Sequence, residues 1–285
     1  MNGPERLDAL LAGPGVVIAP GIFDGFSARA VELNGFSAAY VTGSGASLSN
    51  FGLPDLGLIT QTDVVEQIFR LAEATALPLI VDADTGFGGI ANVVRTVRRY
   101  ERAGAAAIQL EDKVFPKRCG HLDGKEVLAA ETFAARIAAA CEARRDHRLK
   151  IIARTDAIAP LGIDEAMDRA HRYAAAGADL VFIEAPESLD QIERIVREAP
   201  APLMMNMISS SVTPTLSVDE LNRLGIRIAI YPMVTQASAM DGMMRALESL
   251  KKDGDDRSVA HLHTPRQLFE LFDLDGWKDL QAREQ

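Results

Sequence analysis

The segment 113–125, KVFPKRCGHLDGK, concentrates side chains that can move protons and stabilise negative charge. It contains Cys119, one of two cysteines in the chain, close to Lys117, Arg118 and His121. Neighbouring cations favour a cysteine thiolate or hold a thiol ready to donate a proton. Proline and glycine interrupt the segment, so we predict a catalytic loop. The alternative is an ordinary surface loop with an incidental cysteine.

A second set of reactive residues follows short apolar runs that are typical of buried strands. Asp82 and Asp84 end one run, and because alternate strand residues point the same way we expect both carboxylates on one face. With Glu111 and Asp55 they form an all-oxygen group that suits Mg2+ or Mn2+. The alternative for Asp82 and Asp84 is a strand-end cap or an ion pair. The other strand-end residues are Thr42, Gly43, Ser44, Gly45, Asp112, Arg154, Asp156, Glu184 and Asn206.

Three of these residues have two interpretations each. Arg154 either forms a salt bridge to Asp156 or Glu184, or it clamps a substrate carboxylate beside the metal. Glu184 and Asn206 either belong to a hydrogen-bonded network or contact a ligand directly. Both alternatives stay open at the level of sequence.

The order of the elements indicates how these residues are positioned. Most of the β-rich runs are separated by stretches with the apolar spacing of amphipathic helices. Eight such runs predict a (β/α)8 barrel, in which strand ends share one site. An open doubly wound sheet is the alternative, but no GxGxxG follows the first run. The runs are VVIAPG, SAAYVTGS, LPLIVDAD, AAAIQLED, KIIARTDA, DLVFIEAP, PLMMNMI and RIAIYP.

We predict one domain over residues 1–285, with 233–285 as a helical extension. The apolar side chains of this tail require covering by the barrel or by a neighbouring subunit.

Composition narrows the class of protein. The chain has 285 residues, 48% of them hydrophobic, which is ample for one large core. A formal charge of -10 argues against nucleic acid or an anionic membrane as partner. Cys141 lies in an Ala-rich run and is expected to pack on a helix, so no disulfide framework is predicted. No apolar run reaches membrane-spanning length, and we expect a soluble, cytoplasmic protein.

Five motifs together resemble the isocitrate lyase/phosphoenolpyruvate mutase superfamily: DADTGFGG, QLEDKVFPKRCGH, IIARTDA, FIEAP and LMMNM. The resemblance runs over nearly the whole chain, and KRCGH is its most specific part. It implies a (β/α)8 barrel with a helix swapped between subunits. It also implies a homotetramer built as a dimer of dimers, acting on a small di-acid.

The resemblance also assigns roles to individual positions. It places Asp82 and Asp84 at a magnesium site, with Asp55 and Glu111 reaching the metal through water. Cys119 matches the cysteine of the carbon-carbon lyase branches, which the phosphonate mutase branch replaces with asparagine. Lys117, Arg118 and His121 accompany Cys119 as catalytic candidates. The substrate-binding candidates are Tyr40, Thr42, Gly43, Ser44, Gly120, Arg154, Glu184, Asn206 and Thr235.

These roles imply cleavage of a 2-hydroxy diacid to an α-keto acid and an enediolate, whose carbon Cys119 protonates as general acid. The loop KRCGHLDGK is closer to the 2,3-dimethylmalate lyase, oxaloacetate hydrolase and petal death protein branch than to the KRCGHRPNK of methylisocitrate lyase. Ala237 stands where methylisocitrate lyase carries an arginine for a third carboxylate.

A 2-substituted malate is therefore the expected substrate. Oxaloacetate hydrolysis to oxalate and acetate and methylisocitrate cleavage are the alternatives. Further alternatives are a phosphonate or carboxyphosphonate mutase and a non-catalytic binding protein.

Overall fold

The computed structural model describes residues 1–115, 126–209, 211–257, 259 and 263–283. Contacts divide the chain into two compact units, Met1–Gln236 and Ala237–Gln285. The candidates in the catalytic segment, Lys117, Arg118, Cys119, Gly120 and His121, lie outside the described residues.

The first unit contains eight strands, one for each β-rich run of the sequence. They are β1 Val17–Ile22, β2 Ala39–Val41, β3 Leu79–Asp82, β4 Ala105–Glu111, β5 Lys150–Thr155, β6 Leu180–Ile183, β7 Met204–Asn206 and β8 Ile228–Tyr231. All pairings are parallel, in the order β6-β5-β4-β3-β2-β1-β8-β7. A parallel bridge from Val181 to Leu203, with the Val181 amide donating to the Pro202 carbonyl at 3.0 Å, joins the two edges. The (β/α)8 prediction is confirmed, and the open-sheet alternative is wrong.

The strands are connected by helices that pack around the barrel. They are α1 Gly3–Ala12, α2 Gly25–Leu33, α3 Gly43–Phe51, α4 Gln61–Ala74, α5 Ile90–Ala103, α6 Ala130–Ala143, α7 Ile158–Ala175, α8 Leu189–Glu198 and α9 Val218–Leu224. In α5, Val93, Val97 and Tyr100 are fully buried while the arginines between them remain outside the core. Their spacing of three and four residues produces a single apolar face, as expected for a helix against a sheet.

Cys141 occupies the predicted place on α6. It packs against the core of the barrel, and its thiol donates to the Gly177 carbonyl at 3.1 Å. Burial raises the pKa of this thiol to about 11, so Cys141 behaves as a packing residue.

The N-terminal end of the barrel is closed by α1. Leu7 is fully buried in the cluster that fills the barrel interior. The Arg227 guanidinium, at the start of β8, donates to the carbonyls of Leu11, Gly13 and Gly15 at 2.6 to 2.7 Å. Because this end is sealed, access to the interior is from the carboxyl ends of the strands.

Three helices run through the rest of the chain: α10 Val234–Asp253, α11 Pro265–Glu270 and α12 Leu274–Ala282. None of them buries a residue. The large apolar side chains exposed in the second unit are Met240, Met243, Met244, Leu247, Leu250, Phe269, Trp277 and Leu280. Within the described part of the chain, no helix is both long and apolar enough to cross a membrane.

Candidate active site

A cavity of about 420 Å³ lies at the carboxyl ends of the strands. Apart from Asp55, its polar lining comes from the ends of six of the eight strands or from the residues just after them, which is where a barrel of this type places its site. The polar lining residues are Tyr40, Thr42, Ser44, Asp55, Asp82, Glu111, Lys113, Arg154, Glu184 and Asn206. Its apolar lining residues are Leu48, Pro54, Leu56, Ile208, Ile230, Pro232 and Met233.

Asp82 and Asp84 are brought together, although not by the geometry expected from sequence. β3 ends at Asp82, and Asp84 has a left-handed backbone with φ 49°, so the prediction of one shared strand is wrong. The Asp84 amide donates to Asp82 Oδ1 at 3.0 Å, which closes a tight turn. A Cβ at Gly43 would lie 2.8 Å from Asp82 Oδ2 and 3.4 Å from Asp84 Oδ1. Both carboxylates therefore adjoin Gly43, and they can approach its backbone this closely because Gly43 has no side chain.

Gln109 fixes the orientation of Asp82, and the sequence analysis missed it. It is fully buried on β4 and its Nε2 donates to Asp82 Oδ1 at 3.2 Å. Its Oε1 accepts from the Tyr40 hydroxyl at 3.0 Å. The available signal was its position two residues before Glu111, which puts both side chains on the same face of β4.

Thr42, Gly43 and Ser44 form the beginning of α3. Thr42 is the N-cap, and its Oγ1 accepts from the Gly45 amide at 3.3 Å and lies 3.0 Å from the Ser44 hydroxyl. The first amides of a helix have no partner within the helix and carry partial positive charge, so this end suits an anion. The three candidates predicted from sequence therefore lie together at the amino-terminal end of α3.

Arg154 is held by carboxylates at the carboxyl end of β5. Its Nε and Nη2 donate to the two oxygens of Asp156 at 2.8 and 3.0 Å, and Nη2 lies 3.5 Å from Glu184 Oε1. Its guanidinium stacks 5.0 Å from the ring centre of Phe182. Burial disfavours the charged form, but the three surrounding carboxylates outweigh it and raise the pKa of Arg154 well above its usual value. The salt bridges proposed as one interpretation are therefore present.

Lys113 is a second buried cation that sequence reasoning did not assign to the site. Only 3% of it is exposed, and it lines the cavity. Its Nζ lies 3.3 Å from Glu111 Oε2 and 3.4 Å from Asp156 Oδ1. The signal in the sequence was again a spacing of two residues from Glu111.

Three buried oxygens of the site have no hydrogen-bond partner in the described part of the chain: Glu111 Oε1, Glu184 Oε2 and Asn206 Oδ1. Asn206 Nδ2 donates to Glu184 Oε1 at 3.4 Å, so these two residues do form the expected network. Leaving a buried acceptor unsatisfied costs about 1–3 kcal/mol, so such groups imply a water or ligand partner.

Asp112, which the sequence placed with Glu111, faces away from the cavity. It accepts from Thr155 Oγ1 at 2.7 Å, the Tyr173 hydroxyl at 2.8 Å, the Asp156 amide at 3.0 Å and Arg169 Nη1 at 3.1 Å. Burial, together with the charge of Asp156, raises its pKa despite these donors. Adjacent residues of a strand point to opposite faces, which explains its separation from Glu111.

Of the two remaining candidates from the sequence, Asp55 lines the cavity and Thr235 does not. Asp55 lies in the loop after α3, is partly exposed and lines the cavity. Thr235 donates its hydroxyl to the Gly21 carbonyl at 2.6 Å and is not among the residues that line the cavity.

The donor chemistry of the site fits a hard divalent cation. Asp82, Asp84 and Glu111 offer only oxygen, and the unsatisfied Glu111 Oε1 is available to a bound water. Among the described residues, no three Asp, Glu, His or Cys side chains form a preassembled metal cluster.

Comparison with known proteins identifies the family. The family model for phosphoenolpyruvate phosphomutase matches residues 7–251. The chain is 41% identical over 284 residues to 2,3-dimethylmalate lyase of Eubacterium barkeri, covering 100% of this chain and 98% of that protein. A solved oxaloacetate acetylhydrolase with the inhibitor 3,3-difluorooxalacetate has a TM-score of 0.95 and 34% identity, covering 99% of this chain and 97% of the other. A phosphonopyruvate hydrolase with oxalate and Mg2+ has a TM-score of 0.89 and 32% identity, covering 99% of each chain. The chain therefore belongs to the phosphoenolpyruvate mutase/isocitrate lyase superfamily of enzymes.

Proposed function

We propose that this protein is a Mg2+-dependent carbon-carbon lyase that cleaves a 2-substituted malate, such as 2,3-dimethylmalate, to an α-keto acid and a carboxylate. The observation that carries the proposal is the mixed lining of the cavity. Carboxylates, two cations and the first residues of α3 line it together with seven apolar or proline residues. A di-acid with an alkyl substituent matches both kinds of lining residue.

The polar lining residues account for recognition of the di-acid. The amino-terminal end of α3 and the hydroxyl of Ser44 are suited to one carboxylate of the substrate. Arg154 is held in a fixed orientation by Asp156, and its positive charge is suited to the other carboxylate of the substrate. A preoriented guanidinium loses little rotamer freedom when it binds, which favours affinity.

Asp82 and Asp84 would hold Mg2+ or Mn2+, with Asp55 and Glu111 reaching the ion through water. When bound, the ion would supply Lewis-acid stabilisation of a deprotonated substrate hydroxyl. Glu111 and Glu184 present buried, unsatisfied oxygens that can accept a proton or orient a water at that hydroxyl. Cys119, assigned from sequence, would protonate the carbon of the departing acid, with Lys117, Arg118 and His121 stabilising its charge.

The apolar lining residues distinguish the proposed substrate from its alternatives. Leu56, Ile208 and Met233 offer contact to an alkyl group, which oxaloacetate lacks. Each buried methylene contributes about 0.8 kcal/mol, so two methyl groups separate these substrates by roughly tenfold or more. Oxaloacetate hydrolysis is the second candidate, because of the similarity in fold to the acetylhydrolase. Methylisocitrate cleavage is disfavoured by Ala237, and mutase chemistry by Cys119.

A substrate panel with Mg2+ tests the proposal. Keto-acid release is coupled to a dehydrogenase, and oxalate is assayed separately, for 2-alkylmalates, methylisocitrate and oxaloacetate. Pyruvate from a 2-alkylmalate is the expected result. Oxalate alone would reassign the protein as a hydrolase. A carbon-phosphorus signal in the phosphorus NMR spectrum of a parallel incubation with phosphoenolpyruvate would reassign it as a mutase. The variant Cys119→Ser should lose turnover by orders of magnitude yet still bind product. Keto acid that appears at the same rate with this variant is due to spontaneous decay of the substrate and not to the enzyme.

We also propose that the protein is a cytoplasmic homotetramer whose subunits exchange C-terminal helices. The exposed apolar side chains of the second unit support a covering partner, since such surfaces seldom face water in a stable protein. Sedimentation at low concentration tests it, and a folded monomer would contradict it.

A further inference from the structure

Lys113 lies in the middle of the carboxylates of the site. Its side chain is 4% exposed, and its Nζ contacts Glu111 Oε2 and Asp156 Oδ1 at 3.3 and 3.4 Å. Burying a charged lysine at such a position costs several kcal/mol of hydration free energy, so we expect Lys113 to have a role in the site.

Asp156 does not account for that role. Both of its oxygens already accept from Arg154 at 2.8 and 3.0 Å, and its amide donates to Asp112 at 3.0 Å. Arg154 therefore neutralises Asp156 with two well-aligned bonds.

Glu111 is the more informative partner. Lys113 Nζ at 3.3 Å and Arg154 Nε at 3.6 Å both approach its Oε2. Its Oε1 is buried and has no hydrogen-bond partner among the described residues. The two cations thus fix one oxygen and leave the other for a ligand in the cavity.

We infer that Lys113 is a positioning residue that sets the balance between cation and anion binding. It holds Glu111 through Oε2 and keeps a positive charge in the cavity wall. This charge weakens the affinity of the site for a divalent cation and strengthens its affinity for the di-acid. The inference rests on the metal site of the proposed function and adds a residue that tunes it.

The sign of the effect distinguishes this role from a structural one. Loss of a unit charge about 6 Å from a divalent ion changes its affinity by about tenfold even at the dielectric constant of water, about 80, and by more at a lower effective value. Neutralising Lys113 should therefore tighten binding of Mn2+ at least about tenfold and weaken binding of oxalate by a similar factor. A disturbed fold would weaken both.

The experiment uses the full chain in two neutral variants, Lys113→Met and Lys113→Gln. The glutamine retains a donor for Glu111 without the charge, so it separates charge from hydrogen bonding. Isothermal calorimetry measures Mn2+ binding to each protein, and then oxalate binding at saturating Mn2+. Neither measurement depends on turnover.

Lys150→Met is the matched control. Lys150 begins β5 at the sealed end of the barrel and pairs with Asp8 at 2.6 Å, so its loss changes the net charge equally without touching the site. Both affinities should stay at the wild-type value in this control.

Opposite shifts in both neutral variants support the inference. Parallel weakening, no change, or failure of both variants to fold would overturn it and leave the proposed function standing. Absence of Mn2+ binding to the wild-type protein would overturn the metal site itself and the inference with it.

Discussion

The site depends on the absence of a side chain at Gly43, and Gly43→Ala tests that dependence. An added Cβ would lie 2.8 Å from Asp82 Oδ2, closer than carbon and oxygen atoms pack, and 3.4 Å from Asp84 Oδ1. The Asp82 carboxylate must then move by a few tenths of an ångström or rotate. Because Gln109 and the Asp84 amide both donate to its other oxygen, that movement would weaken these two hydrogen bonds.

We expect Gly43→Ala to weaken Mn2+ binding by about 10- to 100-fold, the range typical of changes beside a metal ligand. Turnover at low metal concentration should fall by a similar factor. The backbone at Gly43 is ordinary helix, since its φ is not positive, and alanine favours a helix by up to about 1 kcal/mol. Stability should therefore change by less than the roughly 1–3 kcal/mol typical of overpacking.

The control is Gly25→Ala. Gly25 is the first residue of α2, as Gly43 is of α3, but its Cβ would meet only Ala74 Cβ at 4.0 Å. Calorimetry with Mn2+ and thermal unfolding should show the control to be like wild type. Wild-type Mn2+ affinity in Gly43→Ala would refute the placement of the metal between Asp82 and Asp84.

Three further predictions concern residues around the site and in the core. Gln109→Leu removes the donor to Asp82, so Mn2+ affinity should fall about tenfold or more. Tyr40→Phe removes only the hydrogen bond from Tyr40 to Gln109, so its effect on Mn2+ affinity should be smaller. Equal Mn2+ affinity in Gln109→Leu and the wild type would contradict the role of Gln109 in orienting Asp82. Ile208→Ala shortens one of the apolar lining residues, so kcat/KM for 2-alkylmalates should fall about tenfold while that for oxaloacetate stays constant. A uniform loss would count against a pocket for the alkyl group. Burial raises the pKa of Cys141 to about 11, so roughly one thiol in a thousand is ionised at pH 8. In the variant Cys119→Ser, which leaves Cys141 as the one cysteine, maleimide should therefore label Cys141 slowly until the pH approaches 11. Rapid labelling at pH 8, read by mass spectrometry, would show that the helix opens there.

The barrel could be predicted from the sequence because its signals are local. Each strand is a short apolar run, and each helix carries one apolar face, as in α5. The chain order of strands and helices then restricts the topology to very few arrangements. Strand ends are also visible in the sequence, which is why Asp82, Glu111 and Arg154 were placed at one site.

The details that failed depend on contacts between distant parts of the chain. Asp84 leaves the strand direction because its amide bonds to Asp82, and a two-residue periodicity does not predict a left-handed turn. Asp112 was grouped with Glu111, although alternation along β4 already separates them. Gln109 and Lys113 were overlooked because amides and lysines near a strand end are common, and their roles appear only when β3 and β5 lie beside β4.

The charges of the site bear on the order in which the proposed metal and di-acid would bind. In the described part, Lys113 and Arg154 are paired with Glu111 and Asp156, and Arg154 also with Glu184. These carboxylates reduce the attraction that the two cations offer to a dianion. Under the proposed function, a divalent cation beside Asp82 and Asp84 would add positive charge to the cavity that Arg154 and Lys113 line. Metal binding should therefore precede substrate binding, because the bound ion strengthens the attraction for the di-acid.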